Sequence, residues 1–446
     1  MKKNYLLGMA LMASLSFNSC DKEVVYVQDG NGVESVADGA QIITLQVENG
    51  GDGLATRAGR PLYSAEAKQT IENVKLWICD GAGNVKYVKE ISDWNTDDVS
   101  TVYTTGGHGR QTTIELKDAD KLAAGTYQIY AVGYSNSSAY TLTNVTNVTK
   151  ESAFNENMVL PCSTVGEEIF AGQMELTVEK GKGFKKPVVL NRQVAGAFAY
   201  VKDIPFMEGA KYLKLVASAQ NQSLVLGNFN SFDLTGNGSG NANVKYVVNG
   251  TNGKSGSETY VISTIDLNKW FTAIKDDNGD NLIDAGENWK NPCRPSSSPT
   301  AGTYPTFQKG SAFGGEFVIP FAHVDGKQTL TLQLTNAGGK VLRSWKVNLG
   351  STDEQLKQTI TCWNSGSTDW STSLSGELAN TYSLVRNHLY GIGTRMNDEA
   401  NPEKPGVDPD PNPENPNDKP ESLNNKQELV LKVNDNWEVI HGMELD

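Results

Sequence analysis

The sequence predicts an all-β protein, and three observations carry that expectation. Most of the 446 residues fall into apolar runs of about four to eight residues, many with a period of two. Clusters of Gly, Asn, Asp and Ser separate these runs, and the chain holds 44 glycines. Helical periodicity is confined to "SAEAKQTIENV" at 64–74 and "DLNKWFTAIK" at 266–275. Many short strands with turn signals between them point to β-sandwiches.

In chain order, the strand runs are "IITLQV" at 42–47 and "VKLWICDGAGNVKYVKEI", a hairpin around Asp80-Gly81. "TTIELKDAD", "GTYQIYAVGYSN", "KPVVLNRQVAGAFAYV", "KYLKLVASA", "GEFVIPFA" and "TLTLQLTNAGGKVLRSWKV" follow. Two sandwiches fit this length better than one, with a boundary near residue 187: one over 58–187, the other over 188–399.

The end of the chain differs in kind. Seven of the sixteen prolines lie between Asn401 and Pro420, so 400–426 reads as an extended, solvated tether. In 427–446 the odd positions Leu429, Leu431, Val433, Trp437 and Val439 are apolar, and the even ones are mainly polar. This is a period-two strand with one apolar face, able to reach about 60 Å. That exceeds the needs of one edge strand, and the expected destination is another molecule; a terminal strand folding back onto its own domain is the alternative. Burial of those side chains alone does not cover the entropy of ordering so long a segment. The strand therefore needs ladder hydrogen bonds on both sides, as an inserted strand has.

The other end begins with Lys2, Lys3 and an apolar stretch from Tyr5 to Phe17, then small residues and Cys20. Residues 1–19 read as a secretory signal and Cys20 as a lipidation site. Phe17 stands where the usual lipidation motif has Leu. Acidic residues exceed basic ones, 52 against 39, which excludes a basic nucleic-acid footprint. Cys79, Cys162, Cys293 and Cys362 have no CxxC spacing and read as buried small residues or one disulfide.

Directly behind "IITLQV", a glycine-rich loop carries Arg57 between small residues, with Arg60 followed by Pro61. Cleavage of the Arg57–Ala58 bond separates the strand covalently from the body. An open sheet edge of that kind recruits another strand, and the tail of a neighbouring copy has the right pattern.

Several motifs in order resemble one family: the lipoprotein start, "ATRAG" at 55–59, "AGTYQIYAVGYSN" at 124–136, "NRQVAG" at 191–196, "VRNHLYGIG" at 385–393 and the final strand. Over nearly its full length the chain resembles the fimbrillins, the type V pilins of Bacteroidales, and most of all the major shaft subunit of their short fimbriae. The resemblance implies two transthyretin-like β-sandwich domains and export as a lipoprotein anchored in outer-membrane lipid. It implies a propeptide at 20–57, shed by an arginine-specific protease, and head-to-tail polymerisation by donor-strand exchange with 427–446 as donor. Anchor and tip subunits are the implied partners, and cell-surface adhesion the implied role.

The loop "DDNGDNLIDAGE" places Asp276, Asn278, Asp280, Asp284 and Glu287 at positions 1, 3, 5, 9 and 12, with the Leu282 carbonyl at 7. That is a calcium-loop pattern of hard oxygens, with Asn281 where Gly is usual. Structural calcium is the one cofactor it suggests; a solvated acidic loop is the alternative. No GxSxG, HExxH or P-loop occurs, and His108, His323, His388 and His441 share no ligand spacing, so no enzyme is expected. A surface glycan-binding lipoprotein with Trp94, Trp270, Trp289, Trp363 and Trp370 as aromatic platforms is the second class, with core packing the alternative for most of these tryptophans.

Overall fold

The structure is a computed structural model. It describes residues 26–28, 34–36, 39–48, 71–103, 109–136, 138–162, 167–227, 246–283, 285–286, 288–292, 307–321, 330–349, 359–375, 384–387, 389–393, 420–424 and 428–434. Cys20, Arg57, Ala58, Asp284, Glu287, Trp437 and Val439 lie outside these residues, as do Cys293 and all four histidines.

Within them the regular secondary structure is nearly all strand, as the alternation predicts. The first lobe contains β1 (Tyr26–Gln28), β2 (Glu34–Val36), β3 (Gln41–Glu48), β4 (Asn73–Asp80), β5 (Val85–Ile91), β6 (Thr101–Tyr103) and β7 (Gly109–Leu116). β8 (Gly125–Tyr134), β9 (Val159–Pro161), β10 (Phe170–Val178) and β11 (Phe184–Arg192) continue it. The hairpin expected at Asp80-Gly81 joins β4 to β5. The Asp80 carboxylate accepts from the N–H groups of Ala82 (3.0 Å) and Asn84 (2.9 Å), and Gly83 takes φ +80°.

The main path through this lobe runs β5-β4-β8-β10-β11-β3-β7-β6. Residues 184–190 of β11 pair with β3, while Asn191 and Arg192 pair with β10. β11 thus carries the sheet around a corner, folding it over a core of Ile43, Leu45, Val74, Leu76, Ile129 and Leu190.

The second lobe comprises β12 (Ala195–Lys202), β13 (Ala210–Gln220), β14 (Ser223–Val225), β15 (Tyr246–Val248), β16 (Gly250–Thr251), β17 (Lys254–Asp266) and β18 (Ala312–Val318). β19 (Leu330–Asn336), β20 (Val341–Leu349), β21 (Thr359–Asn364), β22 (Asp369–Ser375), β23 (Leu389–Ile392), β24 (Glu421–Ser422) and β25 (Glu428–Asn434) complete it. Its main path is β17-β13-β19-β20-β25-β23-β12-β18, over an aromatic core of Phe198, Tyr200, Trp270, Phe307, Phe313 and Trp345. At Gly391 in β23 an added Cβ would sit 2.1 Å from the Phe198 ring. Only glycine lets that ring lie against the strand.

The two lobes share one strand logic. The first main strand of each, β3 or β12, lies between a parallel neighbour (β11 or β23) and an antiparallel one (β7 or β18). The boundary falls between β11 and β12, at Gln193-Val194, and not at 187. Pro187 is inside β11, opposite Thr44, so the strand runs straight through the expected break.

A third cluster joins the lobes. Trp77, Tyr134 and Met158 of the first pack with Leu224, Leu226 and Ile319 of the second, and β9 pairs with β14. Of the two expected helices, the second is the single turn Leu267–Trp270, capped by the Asp266 carboxylate accepting from the Asn268 N–H at 3.0 Å. The first is strand from Asn73 onward, and 64–70 lies outside the described residues.

Candidate functional site

The strand read from the sequence at 42–47 occupies 41–48 and is interior. Every residue of β3 pairs with antiparallel β7, and seven of the eight pair with parallel β11. Its alternation works as expected: Ile43, Leu45 and Val47 are fully buried, each contributing about 1.5–3 kcal/mol of apolar burial. At its start the Gln41 side chain donates to the Leu122 carbonyl (2.9 Å) and accepts the Leu122 N–H (2.7 Å). Gln46 donates to Gln111 of β7 at 3.1 Å.

The walls of this slot are held from elsewhere. Arg110 of β7 donates to the Ser100 hydroxyl (2.7 Å) and carbonyl (2.6 Å), and pairs with Asp97 at 2.8 Å. On the far side, β10 is fastened to β8 along its length and meets β11 at its first two residues. Forward along the chain, β3 connects to the body through 49–70 alone, the segment that holds Arg57.

The tail departs from expectation. The sequence reading sends all of 427–446 into another molecule, with Leu429, Leu431, Val433, Trp437 and Val439 as the inserted face. β25 instead lies inside its own second lobe: Glu428–Leu431 pair in parallel with β20, and Lys432–Asn434 pair antiparallel with β23. Leu429 is buried in the main core. The tether is shorter than 400–426 as well, because β24 pairs with β12, Leu423 is fully buried and its N–H donates to the Lys202 carbonyl at 2.9 Å. Two sheet edges, those of β20 and β23, pair with this segment at home, and period-two alternation does not reveal which sheet a strand joins.

The acidic loop is turned by its own side chains. The Asp276 carboxylate accepts from the N–H groups of Gly279 (2.8 Å) and Asn281 (3.0 Å), and Asp280 accepts the Leu282 N–H at 2.8 Å. Asn278 accepts the Asp280 N–H at 3.0 Å. Asn281 adopts φ +63°, the left-handed geometry that its place in the loop demands. Ile283 is buried and donates its N–H to the Ile204 carbonyl at 2.7 Å, docking the loop on the β12–β13 connection. Among the described residues no three acidic, His or Cys side chains converge as a metal cluster.

Of the tryptophans offered as platforms, Trp94 and Trp270 are fully buried, so neither presents a surface. Trp289 packs on the second core and donates to the Ser311 carbonyl at 2.7 Å. Trp363 and Trp370 face each other across β21–β22 at 5.2 Å, and Trp370 donates to Asn157 at 2.9 Å. Among the described residues Cys79 and Cys362 are free thiols; burial pushes Cys79 up to about 12 and Cys362 to about 11, which leaves both unreactive at neutral pH. Cys162 is half-buried.

Sequence reasoning missed the joint between the lobes. "NRQVAG" and "VRNHLYGIG" meet there: Arg386 donates to the Gln193 side chain (3.2 Å) and the Gly227 carbonyl (3.1 Å), while the Asn387 N–H reaches the Val194 carbonyl at 2.8 Å. Asn249 donates to the Gln193 carbonyl at 3.1 Å. Beside them Arg192 and Glu168, both fully buried, form an ion pair at 2.6 Å. Burial pulls the Arg386 guanidinium down to about 9.

No family model matches the chain, and none of the curated proteins matches it. Among solved structures it is similar to a fimbrial assembly protein from Parabacteroides distasonis (12% identity, 75% of this chain and 99% of that one, TM-score 0.33). It is also similar to the fimbrial anchor protein Mfa2 (10%, 75% and 95%, 0.32) and the tip fimbrial protein Mfa3 (10%, 79% and 94%, 0.35), both from Porphyromonas gingivalis.

Proposed function

We propose that this protein is a fimbrillin-type structural subunit of a cell-surface fimbrium, exported as a lipoprotein through Cys20 and activated by cleavage after Arg57. The supporting observation is the place of β3: an interior, fully paired strand whose forward link to the body is the arginine-bearing segment. Its loss leaves β7 and β11 with unpaired edges on both sides of an apolar slot, the arrangement that binds an incoming strand. The tail of a second copy is the proposed occupant, and possession of such a tail favours a shaft subunit over an anchor or tip. The loop 276–287 is read as a structural calcium loop that stiffens the second lobe, with Asp276, Asn278, Asp280, Asp284, Glu287 and the Leu282 carbonyl as ligands.

Treatment of the precursor with an arginine-specific protease tests the reading. Unboiled denaturing electrophoresis is expected to show a ladder of multimers that collapses on boiling. Arg57→Ala combined with Arg60→Ala keeps the precursor monomeric. A trimmed monomer from the parent chain overturns strand exchange and leaves the glycan-binding class standing.

A further inference from the structure

Resting on the strand-exchange reading, we infer that the tail is divided at Asn434-Asp435: β25 stays in its own second lobe, and 435–446 alone enters the first lobe of another copy. The first argument is the position of β25. It is the strand through which the β17-β13-β19-β20 half of the second lobe connects to the β23-β12-β18 half. In the first lobe the corresponding corner is closed directly, by Phe170 and Ala171 of β10 opposite Arg192 and Asn191 of β11. In the second lobe, among the described residues, β20 and β23 are joined through β25. Withdrawing it opens two edges at once and exposes the core around Leu429, a penalty that each donating copy would bear.

The second argument is the approach to β25. Leu423 is buried and β24 is fastened to β12, so the chain is anchored to its own lobe five residues before β25 begins. A strand released for exchange needs slack before it, and the described residues place an anchor there instead.

The third argument is length. The slot now filled by β3 takes eight residues, about 26 Å at strand spacing. The twelve residues 435–446 span about 40 Å when extended, so they fill it with residues to spare. Of their six odd positions Trp437, Val439, Met443 and Leu445 are apolar and keep the period of Ile43, Leu45 and Val47, while Asp435 at the start and His441 are polar. Leu429, Leu431 and Val433 are not required for the exchange.

Three chains, each cleaved by an arginine-specific protease and followed by melting and unboiled electrophoresis, test the division: the full chain, one ending at Asn434 and one ending at Gln427. The chain ending at Asn434 is expected to melt within about 1 °C of the full-length precursor and to form no multimers. The chain ending at Gln427 is expected to melt about 10 °C lower or more, because a central strand of its second lobe is gone. In the full chain, Val439→Asp is expected to abolish multimers without moving the melting temperature. Multimers from the chain ending at Asn434, or its failure to fold, overturn the division while leaving strand exchange intact. If the full chain itself forms none, strand exchange falls and the division falls with it.

Discussion

Arg192 and Glu168 are both fully withdrawn from solvent, and they sit where the first lobe hands the chain to the second. Glu168 receives the Arg192 Nε at 2.7 Å as well as the terminal nitrogen, and the guanidinium lies over the Phe170 ring at 5.0 Å. Two charges removed from water hold one another, so loss of either leaves its partner buried without compensation. Glu168→Gln is expected to destabilise the protein by about 3–5 kcal/mol in chemical denaturation, whereas Glu168→Leu with Arg192→Met recovers most of the loss. A cost below about 1 kcal/mol for the single change would falsify this account of the joint. "NRQVAG" stands out in the sequence, but its work does not: the bond from Arg386 to Gln193 spans 193 residues. No local pattern encodes a partner at that distance. The burial of Trp94 and Trp270 follows the core-packing alternative, which composition alone does not separate from an exposed platform.

At the level of elements, alternation made β3, the β4–β5 hairpin and most later strands legible, because a half-buried strand must repeat every two residues. It made β25 legible as a strand and misplaced it, because the same repeat suits any sheet with one apolar face. Length alone set the domain boundary near residue 187, inside a strand: Pro187 pairs with Thr44 and β11 continues to Arg192. The acidic loop turns at Asn281 with left-handed geometry, while Asp284 and Glu287 of its proposed ligands lie beyond the described residues. Calcium binding there is expected to give measurable heat in titration calorimetry at millimolar calcium. It is expected to raise the melting temperature of the second lobe by about 5 °C once calcium is well above its dissociation constant. Glu287→Gln, which removes the ligand at position 12, should abolish both effects. No heat from the parent protein rejects the loop as a calcium site and leaves it a turn held by Asp276 and Asp280.

For the whole molecule, the consequence of losing β3 is unequal stability. The first lobe holds Ile43, Leu45 and Val47 in its core and has both neighbours of β3 paired through it. The second lobe has its corresponding strand, β12, inside the continuous chain and closes its corner with β25. Cleavage after Arg57 followed by removal of 1–57 therefore weakens one lobe and spares the other. Local opening free energies report this directly through amide exchange. In the cleaved monomer, amides of β7 and β11 are expected to exchange at least about tenfold faster than in the precursor. Those of β13 and β19 should stay within about twofold. Adding a synthetic peptide of residues 435–446 in excess is expected to restore protection in β7 and β11, because the peptide re-pairs both edges and refills the slot. A scrambled peptide of the same composition should do nothing, since it lacks the period-two face. Unchanged exchange in β7 and β11 after removal of 1–57 rules out β3 as the strand that keeps the slot closed. Restored protection from the scrambled peptide rules out alternation as the basis of its recognition.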